Sequence, residues 1–146
     1  MWGLGTTLVV DDSRVYRRFL CMLLKPFSEK VLEAANPAEA IARIDADTDI
    51  NLVICDMVME GGDGLQVLEH VRARPEPRPR VVMVTAYLDP QATERALRLG
   101  ASAYLPKPTT IRQLFDALRR DSRRERRGRE RCNDEFGEAS HGGAKT

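Results

Sequence analysis

The chain has 146 residues, which fits one domain on the prior of ~100–200 residues per domain and allows a real core without covalent staples. Its 23 lysines and arginines nearly balance 22 acidic residues, giving a formal net charge of +1, so overall charge points to neither nucleic acid nor membrane as the main partner. Cys21, Cys55 and Cys132 lie in no C-x-x-C or Cys/His ligand pattern, the first eight residues lack a signal-peptide pattern, and no apolar run approaches the ~18 residues of a membrane span. A disulfide framework, a zinc site and a membrane helix are therefore excluded, and a reduced, cytoplasmic setting is expected.

Short apolar runs alternate with stretches of helical period, the pattern of repeated βα units around a parallel sheet. Thr6 to Val10 predicts a first strand ending at Asp11-Asp12-Ser13, and Val15, Phe19, Met22 and Leu23 recur at helical spacing until Pro26. Lys30 to Ala34 predicts the second strand; Asn36, Pro37 and Glu39 then read as cap, first position and capping-box partner of a helix carrying Ile41 and Ile44. Leu52 to Cys55 is apolar on both faces, as a central parallel strand should be, and ends at Asp56. The loop Glu60-Gly61-Gly62-Asp63-Gly64 leads to a third helix with Leu65, Val67, Leu68 and Val71, stopped by the segment Pro75 to Pro79. Val81 to Val84 delivers Thr85, and Asp89-Pro90 opens a helix with Ala96, Leu97 and Leu99 that stops at Gly100. Ala101 to Leu105 is the last strand, Pro106-Lys107-Pro108 breaks it, and Ile111, Leu114, Phe115 and Leu118 mark one face of a fifth helix. The core is expected to end near Arg120, leaving residues 121–146 as an arginine-rich extension that is either helical continuation or disordered.

Ligands of doubly wound sheets collect at the carboxyl ends of the strands. Asp11, Asp12, Asp56, Thr85 and Lys107 all follow strands, so one fold gathers them. Singly, each has a plainer explanation as a turn, cap or surface residue; jointly, those explanations require several accidents. Three carboxylates at close quarters repel, and a hard divalent cation resolves the repulsion; Mg²⁺ fits because it accepts few carboxylates alongside a phosphate. Phosphoryl chemistry follows, with a carboxylate as nucleophile and with Lys107 and Thr85 binding phosphoryl oxygens.

The blocks LVVDDSR (8–14), LVICDM (52–57), VVMVTA (81–86) and AYLPKP (103–108) resemble, in order, the signatures of bacterial two-component response-regulator receiver domains, over roughly residues 6–120. The resemblance implies an α/β, flavodoxin-like three-layer sandwich: a five-stranded parallel sheet in order 2-1-3-4-5 with five flanking helices. It implies Asp56 as phosphoacceptor, and Mg²⁺ held by Asp11, Asp12, Asp56 and the backbone carbonyl of Val58. It further implies Thr85 as switch hydroxyl, Lys107 as phosphate-binding lysine before a cis Pro108, and Tyr104 as switch aromatic; a half-buried edge-strand aromatic is the other reading of Tyr104. Val58 and Tyr87 match variable positions flanking the phosphate, where their bulk would slow loss of the phosphoryl group to water. A histidine kinase or histidine phosphotransfer protein is the implied donor. The output is expected at the face of the fourth helix, fifth strand and fifth helix, toward a downstream protein, with a homodimer also compatible. Such a domain is a regulatory phosphoacceptor with intrinsic phosphotransfer and autodephosphorylation chemistry rather than an enzyme.

The loop after Asp56 departs from the family: Glu60 stands where a proline is usual and Gly62 where a bulky apolar residue is usual, which predicts a looser loop with added negative charge. A pseudo-receiver that only binds proteins is therefore the rival function. A haloacid-dehalogenase-type enzyme would want an Asp at Val58, and a flavodoxin-type phosphate loop would not carry Asp11-Asp12-Ser13. His70 is expected to be an exposed residue of the third helix, and neither it nor His141 has a partner suited to phosphocarrier chemistry. No second domain pattern follows the fifth helix in this chain, so output is expected through a surface in the manner of single-domain, chemotaxis-type regulators. The run RRDSRRERRGRER (119–131) is read first as a solvated helical extension fraying into disorder. Nucleic acid, an acidic protein or a membrane surface is its less favoured reading.

Overall fold

The computed structural model describes residues 3–86 and 88–143. In chain order the elements are β1 (Thr6–Val10), α1 (Arg14–Leu24), β2 (Lys30–Ala34), α2 (Pro37–Ala46), β3 (Ile50–Cys55), the short strands β4 (Val58–Met59) and β5 (Gly62–Asp63), α3 (Gly64–Arg72), β6 (Arg80–Thr85), α4 (Pro90–Arg98), β7 (Ala103–Pro106) and α5 (Ile111–Gly143). The main sheet is parallel, in the order β2-β1-β3-β6-β7. That is the expected 2-1-3-4-5 once the antiparallel ribbon β4–β5 is set aside.

Side chains alternate across a strand, and here the alternation feeds two cores. Leu8, Val10, Val53, Cys55, Val81 and Met83 pack one face against Ala40 and Ile44 of α2, Leu65, Val67, Leu68 and Val71 of α3, and Ala96 of α4. Val9, Leu52, Ile54, Val82 and Val84 pack the other against Leu20 and Leu24 of α1 and Leu114, Ala117 and Leu118 of α5. With both faces covered, the strands can be apolar throughout. The five helix starts are each capped by a side-chain oxygen. Ser13, Asn36, Asp63 and Asp89 accept from N–H groups of α1 to α4, and Thr110 caps α5 through a reciprocal box with Gln113.

Three expectations are corrected. The last strand is Ala103–Pro106 rather than Ala101 to Leu105, because the Ala101 N–H donates to the Ala96 carbonyl at 3.0 Å and closes α4. β3 begins at Ile50 rather than Leu52, because the Asn51 side chain accepts the Thr6 N–H at 3.0 Å and carries the pairing through an irregularity between Thr6 and Thr7. On α1 the face carrying Val15, Phe19 and Met22 is exposed, at 83%, 41% and 69%, while Leu20 and Leu24 are buried. The helix is apolar on several faces over its second half, so period alone does not choose. Arg17 makes the choice, pairing with Glu33 of β2 at 3.0 Å and donating to the Asp11 carbonyl at 2.7 Å.

Gly64 opens α3 directly beneath the phosphoacceptor candidate. Its N–H donates to the Met57 carbonyl at 2.8 Å, and a Cβ there would lie 2.3 Å from the Asp56 carbonyl oxygen and 2.4 Å from Met83 Cε. Because the nearest obstacle is backbone, Gly64→Ala is expected to lower unfolding free energy by about 1–3 kcal/mol, the usual cost of overpacking. Urea denaturation followed by circular dichroism checks this; a midpoint equal to wild type would refute the packing argument.

Candidate functional site

β1, β3, β6 and β7 end side by side, and the loops leaving them bring the sequence-predicted residues together. Asp11 (1% exposed) leaves β1, Asp56 (7%) leaves β3, and Thr85 (1%) closes β6. Lys107 follows β7, with its backbone N–H donating to the Thr85 carbonyl at 2.8 Å, and the Lys107–Pro108 bond is cis. Its ammonium lies 2.6 Å from Asp11 Oδ2 and 3.1 Å from Asp56 Oδ2.

Asp11, Asp12 and Asp56 each offer a carboxylate oxygen within 4.8 Å of the others. Asp12 is exposed, so the cluster opens to water on one side. Hard oxygen donors with room for retained waters are the chemistry Mg²⁺ prefers. Asp11 Oδ1 accepts the Ser13 N–H at 2.8 Å, and Asp56 Oδ1 accepts the Val58 N–H at 3.4 Å. Both acids are thus oriented from their own loops.

Burial pushes the Asp56 carboxyl above the ordinary carboxylate range and the Asp11 charge pushes the same way, while Lys107 and the Val58 N–H pull it back only in part. Burial also works against the Lys107 ammonium, but Asp11 and Asp56 outweigh it and hold its pKa above the usual lysine value. Cys55, buried beside these acids, is kept a neutral thiol by desolvation.

Tyr104 lies half-buried on β7 with its hydroxyl enclosed and without a well-formed hydrogen bond among the described residues. Burial raises its pKa, the Asp89 and Asp56 charges add to this, and the Thr85 and Thr93 hydroxyls act in the opposite sense. Val58 is 66% exposed; Tyr87 lies outside the described residues. His70 is half-buried and bonded to Asp45 at 2.7 Å rather than standing free, and the side chain of His141 lies outside the described residues.

Two contributors went unread in the sequence. The Lys107 ammonium sits 4.5 Å from the Tyr16 ring centroid, a cation–π contact, and the Tyr16 hydroxyl accepts the Thr109 N–H at 3.4 Å. The only local signal was an aromatic in the first turn after the acidic pair. Glu60 was read for its charge, but its backbone N–H is what matters: it donates to Asp12 Oδ2 at 2.9 Å. With positive φ at Gly61 and Gly62 turning the β4–β5 ribbon, the loop expected to be slack is hydrogen-bonded to the acidic cluster.

Comparison with known proteins gives concordant results. The family model described as "Response regulator receiver domain" matches residues 7–119. The sensory/regulatory protein RpfC of Xanthomonas campestris is 35% identical over 114 residues, covering 76% of this chain and 16% of that protein. The response regulator protein VraR of Staphylococcus aureus is 32% identical over 120 residues, covering 81% of this chain and 56% of the relative. This chain therefore spans about half, or much less, of these curated relatives. A CheY-like receiver domain protein from Methanospirillum hungatei superposes with a TM-score of 0.72 at 27% identity, covering 86% of this chain and 99% of that one.

The pKa directions make a stability prediction. For Asp56, a folded pKa above the unfolded value means that the ionised form is the disfavoured one: stability is full at low pH and is lost as pH rises through the folded pKa. Asp56→Asn is therefore expected to melt higher than wild type at pH 7 without metal, and the gap should close as pH falls through the acid range. Thermal melts of both proteins across pH check this; a gap that widens on acidification would reverse the sign.

Proposed function

Since the chain belongs to the response regulator receiver family of two-component systems, whose members are regulatory phosphoacceptors that bind Mg²⁺ at an acidic pocket, we propose that it is a phosphorylation-dependent switch accepting its phosphoryl group on Asp56. The observation that carries this reading is the Lys107 ammonium set between Asp11 and Asp56 at the mouth of the sheet. In the transfer, an Asp56 carboxylate oxygen forms a bond to phosphorus while the bond from phosphorus to the donor, a phosphohistidine nitrogen or the oxygen of a small acyl phosphate, breaks. Lys107 and the Thr85 hydroxyl bind the phosphoryl oxygens. Asp11, Asp12, Asp56 and the Val58 carbonyl would hold Mg²⁺, which neutralises charge on those oxygens. Without the cation, three acids face one ammonium, so the pocket is short of positive charge until it loads.

The donor is a histidine kinase or histidine phosphotransfer protein. Exposed Val15, Phe19 and Met22 run along α1 from the loop that holds Asp12, an apolar stripe suited to docking a protein that must bring a histidine to Asp56. Output leaves through α4, β7 and α5, where Tyr104 stands between the Thr85 end of the site and the surface. Val58, whose N–H donates to Asp56 Oδ1, shields the aspartyl phosphate from water, a role that the sequence pattern assigns also to Tyr87.

Three outcomes are expected. Mg²⁺ with acetyl phosphate adds one phosphoryl group, read by intact-mass spectrometry, to wild type and none to Asp56→Asn; an unmodified wild type would leave the pseudo-receiver as the function. Phe19→Ser slows transfer from a phosphohistidine donor severalfold while leaving acetyl phosphate labelling unchanged, because a small donor needs no docking surface. The phosphoryl group outlasts minutes in purified protein, and decay within seconds would remove the shielding role of Val58 and Tyr87.

A further inference from the structure

The family match ends at residue 119, and α5 does not. Its first turns bury Leu114, Ala117 and Leu118 against the sheet, after which the same helix continues to Gly143. From Arg119 to Arg131 it carries eight arginines, three acids and no apolar side chain. Arg80 fixes its course by donating to the Leu118 carbonyl at 3.3 Å and the Ser122 hydroxyl at 3.1 Å.

From Arg119 to Arg127 the charges are sorted by face. Asp121 and Glu125, one turn apart, line a cleft of about 490 Å³ together with Arg72, Arg78 and Arg80, at the end of the sheet opposite the acidic pocket. These two acids thus face the domain, while the third, Glu130, is exposed and falls within the arginine sector one turn beyond Arg126 and Arg127. Arg123, Arg124, Arg126 and Arg127 are exposed and make no ion pair among the described residues. At about 100° per residue these four span more than a third of the helix circumference, and Arg119 and Arg120, also exposed, lie within that sector. Arg119 is paired with Asp116 at 3.5 Å, but Arg123 and Arg127, at i and i+4, repel unless an anion lies against them.

We infer that this outward face of α5 binds duplex DNA without sequence preference, with the helix lying in the major groove. A groove about 12 Å wide admits one helix and sets phosphates along both flanks, which suits arginines spread across a broad sector rather than along one line. The guanidinium fork matches phosphate bidentately, and the segment has no lysine. An acidic protein groove would call for apolar anchors at i, i+3 and i+7, and a bilayer for an apolar face; from Arg119 to Arg131 there is neither. The deep, narrow major groove of duplex RNA does not admit such a helix.

The test uses the full chain and a fluorescently labelled 20-base-pair mixed-sequence DNA duplex, read by anisotropy at salt from about 50 to 200 mM. Micromolar binding is expected, weakening about a hundredfold across that range, as three to four phosphate contacts require. Arg124→Gln with Arg127→Gln should lower the salt slope by about 2, whereas Lys30→Gln on β2 with Arg43→Gln on α2, which removes the same charge from another exposed part of the domain, should leave it unchanged. Matching thermal midpoints for the two variants show that both are folded; if the α5 pair does not fold, Arg126→Gln alone should lower the slope by about 1. Equal losses from the two charge pairs, no binding at 50 mM, or tighter binding to vesicles of phosphatidylcholine with phosphatidylserine or to polyglutamate would each overturn the inference.

Discussion

The pairing of Lys107 with Asp11 and Asp56 is the interaction on which the functional end of this molecule depends. Two carboxylates that are almost fully buried would each carry a heavy desolvation cost alone, and a third acid stands beside them. The ammonium makes the cluster tolerable without neutralising it. What remains is a pocket with more acids than cations, in which the Asp56 carboxyl, the proposed phosphoacceptor, is held above its ordinary pKa by burial. On the proposed function, this deficit is what a metal ion and then a phosphoryl group would complete, so the cost of burying acids and the proposed reactivity have one origin.

That pairing exists because of the scaffold behind it. Lys107 is 51 residues from Asp56 in sequence, and the two meet because β3 and β7 both flank β6 with their carboxyl ends on the same side. The Lys107 backbone is tied to Thr85 at the end of β6, and the ring of Tyr16 supports the ammonium from α1. Gly64 lets α3 start against the Asp56 carbonyl, so the loop carrying Asp56 is set by close backbone packing.

The loop after Asp56 carries Glu60 and Gly62 where the family resemblance leads one to expect a proline and a bulky apolar residue. A proline has no N–H, so the contact from Glu60 N–H to Asp12 Oδ2 exists only because the proline is absent. It links the ribbon to the one exposed acid of the cluster. That bond uses Oδ2 of Asp12 and leaves Oδ1, so it orients the Asp12 carboxylate from the β4–β5 segment.

Much of this was legible in the residues themselves. The five strands, the cap at Asn36, the helix start at Asp89-Pro90, and the placement of Asp11, Asp12, Asp56, Thr85 and Lys107 at strand ends follow from local pattern, because period, turn chemistry and capping act within a few residues. Local pattern could not choose the buried face of α1, where Leu20 and Leu24 went inward instead of Val15, Phe19 and Met22, since that depends on an arginine reaching β2. Nor could it show that Glu60 acts through its backbone on a residue 48 positions earlier, that Tyr16 lies under Lys107, or that His70 bonds Asp45. Side-chain type and spacing determined which groups this protein has at its strand ends. Only the packed sheet decided which of them touch, because contact between distant segments is set by strand order and helix rotation, and neither is written in any short stretch of chain.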